Sequence, residues 1–123
     1  MTIIEMITDV DAMKPNGYDP IYKIQWLSHL DGRIKEEIID THEGGEDVSF
    51  SGYDADTPNS TELLVPHPYD DVYRYWLEAQ IDYANGEYTK YNNSMSMFNE
   101  AYSAYERYYH KNHMPKGKKI KFF

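Results

Sequence analysis

The sequence predicts a mainly α fold, a compact bundle of about four helices, on three observations. Between Tyr88 and Tyr109, the residues Tyr88, Tyr91, Met95, Phe98, Tyr102, Tyr105 and Tyr109 recur at alternating steps of three and four. That is the spacing of one helix face, and strand alternation does not fit it. Three earlier stretches carry the same period. Pro, Asn and Gly punctuate the chain at 15–19 and 85–87, giving short reversals between helices.

The seam from Tyr88 to Tyr109 reads first as the core stripe of its own bundle. Its residue type adds a second expectation. A tyrosine hydroxyl wants a partner or water, so a tyrosine-rich seam suits half-buried surfaces and contacts between subunits.

The remaining elements follow in chain order. Thr2 and Glu5 have capping-box spacing, and Ile3, Met6, Ile7, Val10 and Met13 then form one face. Pro15-Asn16-Gly17 ends this first helix. Asp19 caps a second, with Pro20 at its first position, where the missing N–H costs nothing. Ile24, Leu27, Leu30, Ile34 and Ile38 make its apolar face, with Trp26 at the edge. Gly32 inside it marks either a close approach or a local break.

From Glu43 to Glu62 the periodicity stops, and this stretch holds six acids and no base. Together with the residues to 65 it forms an irregular acidic loop, of the kind that binds partners or stays disordered. Phe50, Tyr53, Asp54 and Asp56 are its candidate contact residues. Val48-Ser49-Phe50 and Leu63-Leu64-Val65 have the composition to pair as a short β-hairpin.

A third helix starts near Tyr69, after Pro66 and Pro68. Its apolar surface is wide, with Val72, Tyr73, Trp76, Ala79 and Tyr83 on one side and Leu77, Ile81 and Ala84 on the next. Asp71, Arg74, Glu78 and Asp82 form a narrow polar strip, with Arg74 spaced to pair with Glu78. A helix so widely apolar is the central one. Asn85-Gly86 turns the chain back, so the last two helices form an antiparallel hairpin. Residues 1–114 are thus one helical domain, and 115–123 a basic, extended C-terminal tail.

Composition narrows the function classes. The chain has 123 residues, net charge −9 and an isoelectric point near 4.9, which argues against general binding to phosphate backbones. Lys116 to Phe123 holds four lysines and no acid, so everything before it carries −13. A basic tail on an acidic body suggests an acidic neighbour for the tail, such as another copy of the chain. Lys116, Lys118, Lys119 and Lys121 with Phe122-Phe123 read as a docking peptide, phenylalanines in a pocket and lysines at its rim. There are no cysteines, which excludes disulfides, thiolate zinc sites and cysteine nucleophiles. No run of about 18 apolar residues or basic–apolar leader is present, so neither a membrane span nor a signal peptide is expected.

Chemical motifs are sparse. His110 and His113 have chelating spacing, but with no acid on that face they read as cations at a helix C-terminus. His67 with Asp70 and Asp71 reads as acids at a helix N-terminus. Asp54-Ala55-Asp56 lacks the glycine and glutamate of a calcium loop. Ser94 and Ser96 have no histidine partner in sequence. No enzymatic activity, cofactor or metal is expected.

Three pieces of the chain carry a resemblance. They are Trp26-Leu27-Ser28 through Leu30-Asp31-Gly32 with Glu36-Glu37, then Glu62-Leu63-Leu64-Val65-Pro66, then Tyr69-Asp70-Asp71 through Tyr73, Trp76-Leu77, Ala79 to Tyr83, Asn85-Gly86-Glu87 and Tyr91-Asn92-Asn93. In this order they resemble small head–tail connector (adaptor) proteins of tailed bacteriophages and prophages of Gram-positive bacteria, over roughly residues 1–112. The resemblance implies an all-helical, non-enzymatic subunit, made in the bacterial host cytoplasm and placed in the neck of the virion. It would form a homo-oligomeric ring, a dodecamer if matched to a portal. Its partners would be the portal protein and the next neck or tail protein, with DNA passing through without specific binding. A different class, a small acidic regulator mimicking DNA, is the alternative from charge alone. Its carboxylates bunch in the 43–62 loop instead of lining a helix face. A metal-dependent enzyme built on His67, His110 and His113 is a third reading.

Overall fold

The computed structural model describes residues 1–116 of the chain, and these form a helical bundle. Helix α1 spans Ile3–Met13, α2 Pro20–Ile34, α3 Asp71–Ala84 and α4 Tyr88–Asn112. A π-helical turn, Lys35–Ile39, prolongs α2, and a short 3-10 turn covers Gly45–Asp47. Lys118, Lys119, Lys121, Phe122 and Phe123 of the expected docking tail lie outside the described residues.

The helix starts follow the local chemistry. Thr2 accepts from the Glu5 amide while Glu5 accepts from the Thr2 amide, closing the capping box. Asp19 accepts from Ile21 N–H at 3.0 Å, with Pro20 opening α2. Gly86, at φ +75°, supplies the left-handed turn that reverses the chain into α4. Helix α3 contacts α1, α2 and α4 and is the central element, as its wide apolar surface predicts. The core gathers Ile3, Met6, Ile7 and Val10 of α1, Leu27, Leu30 and Ile34 of α2, Val72, Tyr73, Leu77 and Ile81 of α3, and Phe98 and Tyr105 of α4.

Several local expectations change. Helix α3 begins at Asp71, with Tyr69 and Asp70 in the turn before it. Asp82 is not on a solvated strip. It is fully buried, held by Lys14 at 2.5 Å and by the Ser94 hydroxyl at 3.1 Å. Arg74 turns away from Glu78, toward the Tyr75 hydroxyl at 3.0 Å and the Met13 sulfur at 3.7 Å. Tyr83, Ala84 and Met13 are exposed. Gly32 neither breaks α2 nor marks a forced approach, since a Cβ there would sit 3.8 Å from the Phe50 ring.

The proposed hairpin between 48–50 and 63–65 does not form, and no strand occurs among the described residues. The extended piece pairs instead with the start of the chain. Leu63 N–H donates to Met1 O at 3.1 Å and Ile3 N–H to Thr61 O at 3.0 Å. The next two amides are consumed by side chains. Leu64 N–H donates to Asp31 and Val65 N–H to the Tyr73 hydroxyl, leaving no ladder edge for residues 48–50.

That arrangement centres on Asp31, which is fully buried. Its carboxylate accepts from Tyr53 at 2.5 Å, Tyr73 at 2.6 Å and Leu64 N–H at 3.1 Å. Burial pushes its pKa up, while the three donors pull it back. The irregular stretch 43–65 is thereby tied to α2 and α3. Tyr53 is buried with it, its ring edge-on to Phe50 at 5.1 Å.

Candidate interaction surface

The α3–α4 hairpin presents two unlike faces. The inward face carries the aromatic seam. Phe98, Tyr105 and Tyr109 are buried, Tyr91, Met95 and Tyr102 half-buried, and Tyr88 is exposed. Phe98 packs on Trp76 at 5.1 Å, and Trp76 donates its indole N–H to Trp26 O at 2.8 Å. The Tyr102 hydroxyl donates to Glu37 at 2.5 Å while the Arg33 guanidinium lies over the Tyr102 ring. The Tyr102 hydrogen bond, helped by Arg33, holds the Glu37 carboxyl below its ordinary value. Most of the seam is therefore spent inside its own bundle. At the hairpin tip, Tyr83, Tyr88 and Tyr91 cluster with centroids 5.3–5.6 Å from Tyr83.

The outward face carries residues that the seam pattern passes over. A cleft of about 260 Å³ runs between the start of α3 and the middle of α4, with Ala101 and Ala104 as floor and Tyr69, Tyr75 and Met97 as walls. Asp71 and Glu100, both exposed, edge it. Tyr69 stacks on Tyr108 at 4.6 Å and continues the cleft toward the end of α4. Arg107, His110 and Lys111 line that end. The surface is apolar along its length, with Asp71 and Glu100 beside one part, Arg107, His110 and Lys111 beside the other, and Arg74 next to Asp71 and Tyr75. Its signal in the sequence is a register on α4 offset from the seam: Met97, Ala101, Ala104 and Tyr108 also repeat at steps of four and three.

The chain beyond α4 folds back as a strap. Glu43 N–H donates to Met114 O at 2.8 Å and Lys116 N–H to Thr41 O at 2.9 Å, pairing His42 with Pro115. Lys116 lies 3.6 Å from Glu46 of the acidic loop.

The histidines are regrouped. His67 is exposed and faces Asp70 at 3.4 Å. It is His42, buried and without any motif around it in the sequence, that meets His110 and His113. Its Nε2 lies 3.3 Å from His110 Nδ1, and its Nδ1 lies 2.6 Å from Ile38 O. His113 stacks on Tyr109 at 3.8 Å. Glu106, one turn before His110, shares a cleft with His42 and His110, so an acid does stand on that side of α4. Among the described residues no group of three or more His, Asp or Glu is arranged to hold a metal ion.

In the loop, Asp54 and Asp56 are exposed, and Asp54 accepts from the Asp56 amide and the Thr57 hydroxyl in a local turn. Phe50 is half-buried against α2. Ser94 donates its hydroxyl to Asp82. None of the described helices is long and apolar enough to cross a membrane. Comparison with family models, curated proteins and solved structures finds no match to this chain.

Proposed function

We propose that the chain is a non-enzymatic structural protein, a subunit of the head–tail connector ring that joins a phage portal to the neck or tail and continues the DNA channel. The observation that carries this reading is the convergence at Asp31. The three pieces behind the connector resemblance supply the parts of one buried knot: Asp31 from the first, Leu64 and Val65 from the second, Tyr73 from the third. With Tyr53, which lies outside those pieces, they pack as one folding unit.

The surface chemistry supports the same reading. Exposed aromatic and thioether residues and half-buried small ones on the outer face of α4 suit protein contact. The acidic body does not hold a sliding duplex. The tail links the subunit into the assembly that meets the portal, with Lys116 held at its root by Thr41 and Glu46.

The test is co-sedimentation of the full chain with a portal ring, alongside a chain lacking Lys116–Phe123. Binding by the full chain and its weakening by the deletion are expected. Equal binding by both would remove the tail from the proposal, and no binding by either would remove the connector reading.

A further inference from the structure

We propose that the outer cleft of the α3–α4 hairpin is the receptor for the C-terminal Lys–Phe segment of a second copy of this chain. The inference rests on the subunit reading above and names the contact that would link neighbours.

The cleft asks for an apolar occupant. Ala101 and Ala104 leave room over the middle of α4, and Tyr69, Tyr75 and Met97 wall that room with rings and a thioether. Its volume of about 260 Å³ admits one or two aromatic side chains. Residues 117–123 offer Phe122 and Phe123 on a segment whose remaining charges are the cations Lys118, Lys119 and Lys121.

Charge decides which copy supplies the segment. The open end of the cleft is edged by Asp71 and Glu100, which suit the lysines preceding the phenylalanines. The other end is edged by Arg107, His110 and Lys111. The chain's own tail starts at Lys116, which shares a cleft with Arg107 and His110. To reach Ala104 it would lay its lysines past Arg107 and Lys111, with Glu106 on the same side of α4. A neighbour's tail enters over Asp71 and Glu100, where Arg74 is already engaged by Asp71 at 4.0 Å and by the Tyr75 ring and hydroxyl. Seven residues reach at most about 25 Å when fully extended. Tail and cleft are different patches, so the contact is head-to-tail and closes into a ring when the rotation allows.

Disulfide trapping tests this, since the chain has no native cysteine. Full-length Ala104→Cys is mixed with full-length Phe123→Cys under mild oxidation, with the exposed Gln25→Cys as the control partner. A cross-linked dimer from the first mixture, well above the control, is expected, and the doubly substituted chain should give a ladder of oligomers. No excess over the control would overturn the proposal. So would a double variant that closes only on itself, which would place the tail in its own cleft. In sedimentation velocity, Phe122→Ser with Phe123→Ser, and separately Ala104→Glu, should each weaken self-association by about tenfold or more with the thermal transition unchanged. Self-association unaltered by the tail substitutions would equally overturn it. None of these readouts involves a portal, so the connector reading fails only on the co-sedimentation above.

Discussion

The hydroxyl of Tyr73 stands 2.6 Å from the carboxylate of Asp31, both fully buried, and the same hydroxyl accepts the Val65 amide at 2.7 Å. One atom thus joins α2, α3 and the chain entering α3. Tyr73→Phe should destabilise the protein by about 2–3 kcal/mol in urea unfolding, because it orphans a buried carboxylate oxygen and a buried amide together. Tyr53→Phe removes a single donor and should cost roughly 1 kcal/mol. Equal losses would mean the knot is not organised around Tyr73.

The pH dependence has a definite sign. Burial raises the Asp31 pKa above its unfolded value of 3.8, so the folded state takes up the proton more readily than the unfolded chain. The contribution of Asp31 to stability is then largest at low pH and falls as pH rises from about the unfolded value through the folded one. Asp31→Asn should lose that slope. The urea midpoints of wild type and variant, compared from pH 7 down toward 4, should diverge in favour of wild type at the acid end.

The buried pair Asp82–Lys14 should respond unevenly to truncation. Asp82 is fully buried whereas the Lys14 side chain keeps about a quarter of its surface in water. Lys14→Met strands a buried carboxylate and should cost about 3 kcal/mol. Asp82→Asn keeps a group that Ser94 can bond and frees Lys14 toward solvent, so its loss should be about half as large. Chemical unfolding of the two variants checks the order.

Two glycines should behave oppositely. A Cβ on Gly45 would lie 2.5 Å from Ile39 O and 3.0 Å from the Asp40 Cα, so Gly45→Ala must push the loop off the π turn, at roughly 1–3 kcal/mol. At Gly32 the added methyl meets only the Phe50 ring at van der Waals distance inside a continuous helix. Gly32→Ala should therefore stabilise by about 0.5–1 kcal/mol. Paired thermal melts decide both.

Helix identity is readable in the sequence because period and capping agree locally at Thr2–Glu5, Asp19–Pro20 and Asn85–Gly86. What is not readable depends on partners distant in sequence. Nothing near Asp82 announces Lys14, 68 residues away, and so its charge looks solvated. The stretch 62–65 has strand composition, but its amides go to Asp31, Tyr73 and the start of the chain, which is a tertiary outcome. The interaction surface is half readable. The seam beginning at Tyr88 is plain from its rings, but its very regularity marks the buried side of α4. The outer cleft hides because alanines floor it and its walls come from another element, Tyr69 before α3 and Tyr75 one turn into it. His42 gives no signal because it sits beyond the periodic part of α2.

The strap has a mechanical corollary. With Met114 and Lys116 each bonded to the 41–43 turn, a pull on the chain past Lys116 loads two main-chain bonds and then the buried Ile38 and Ile39 behind them. Tension is thereby shared between the end of α4 and the far end of α2.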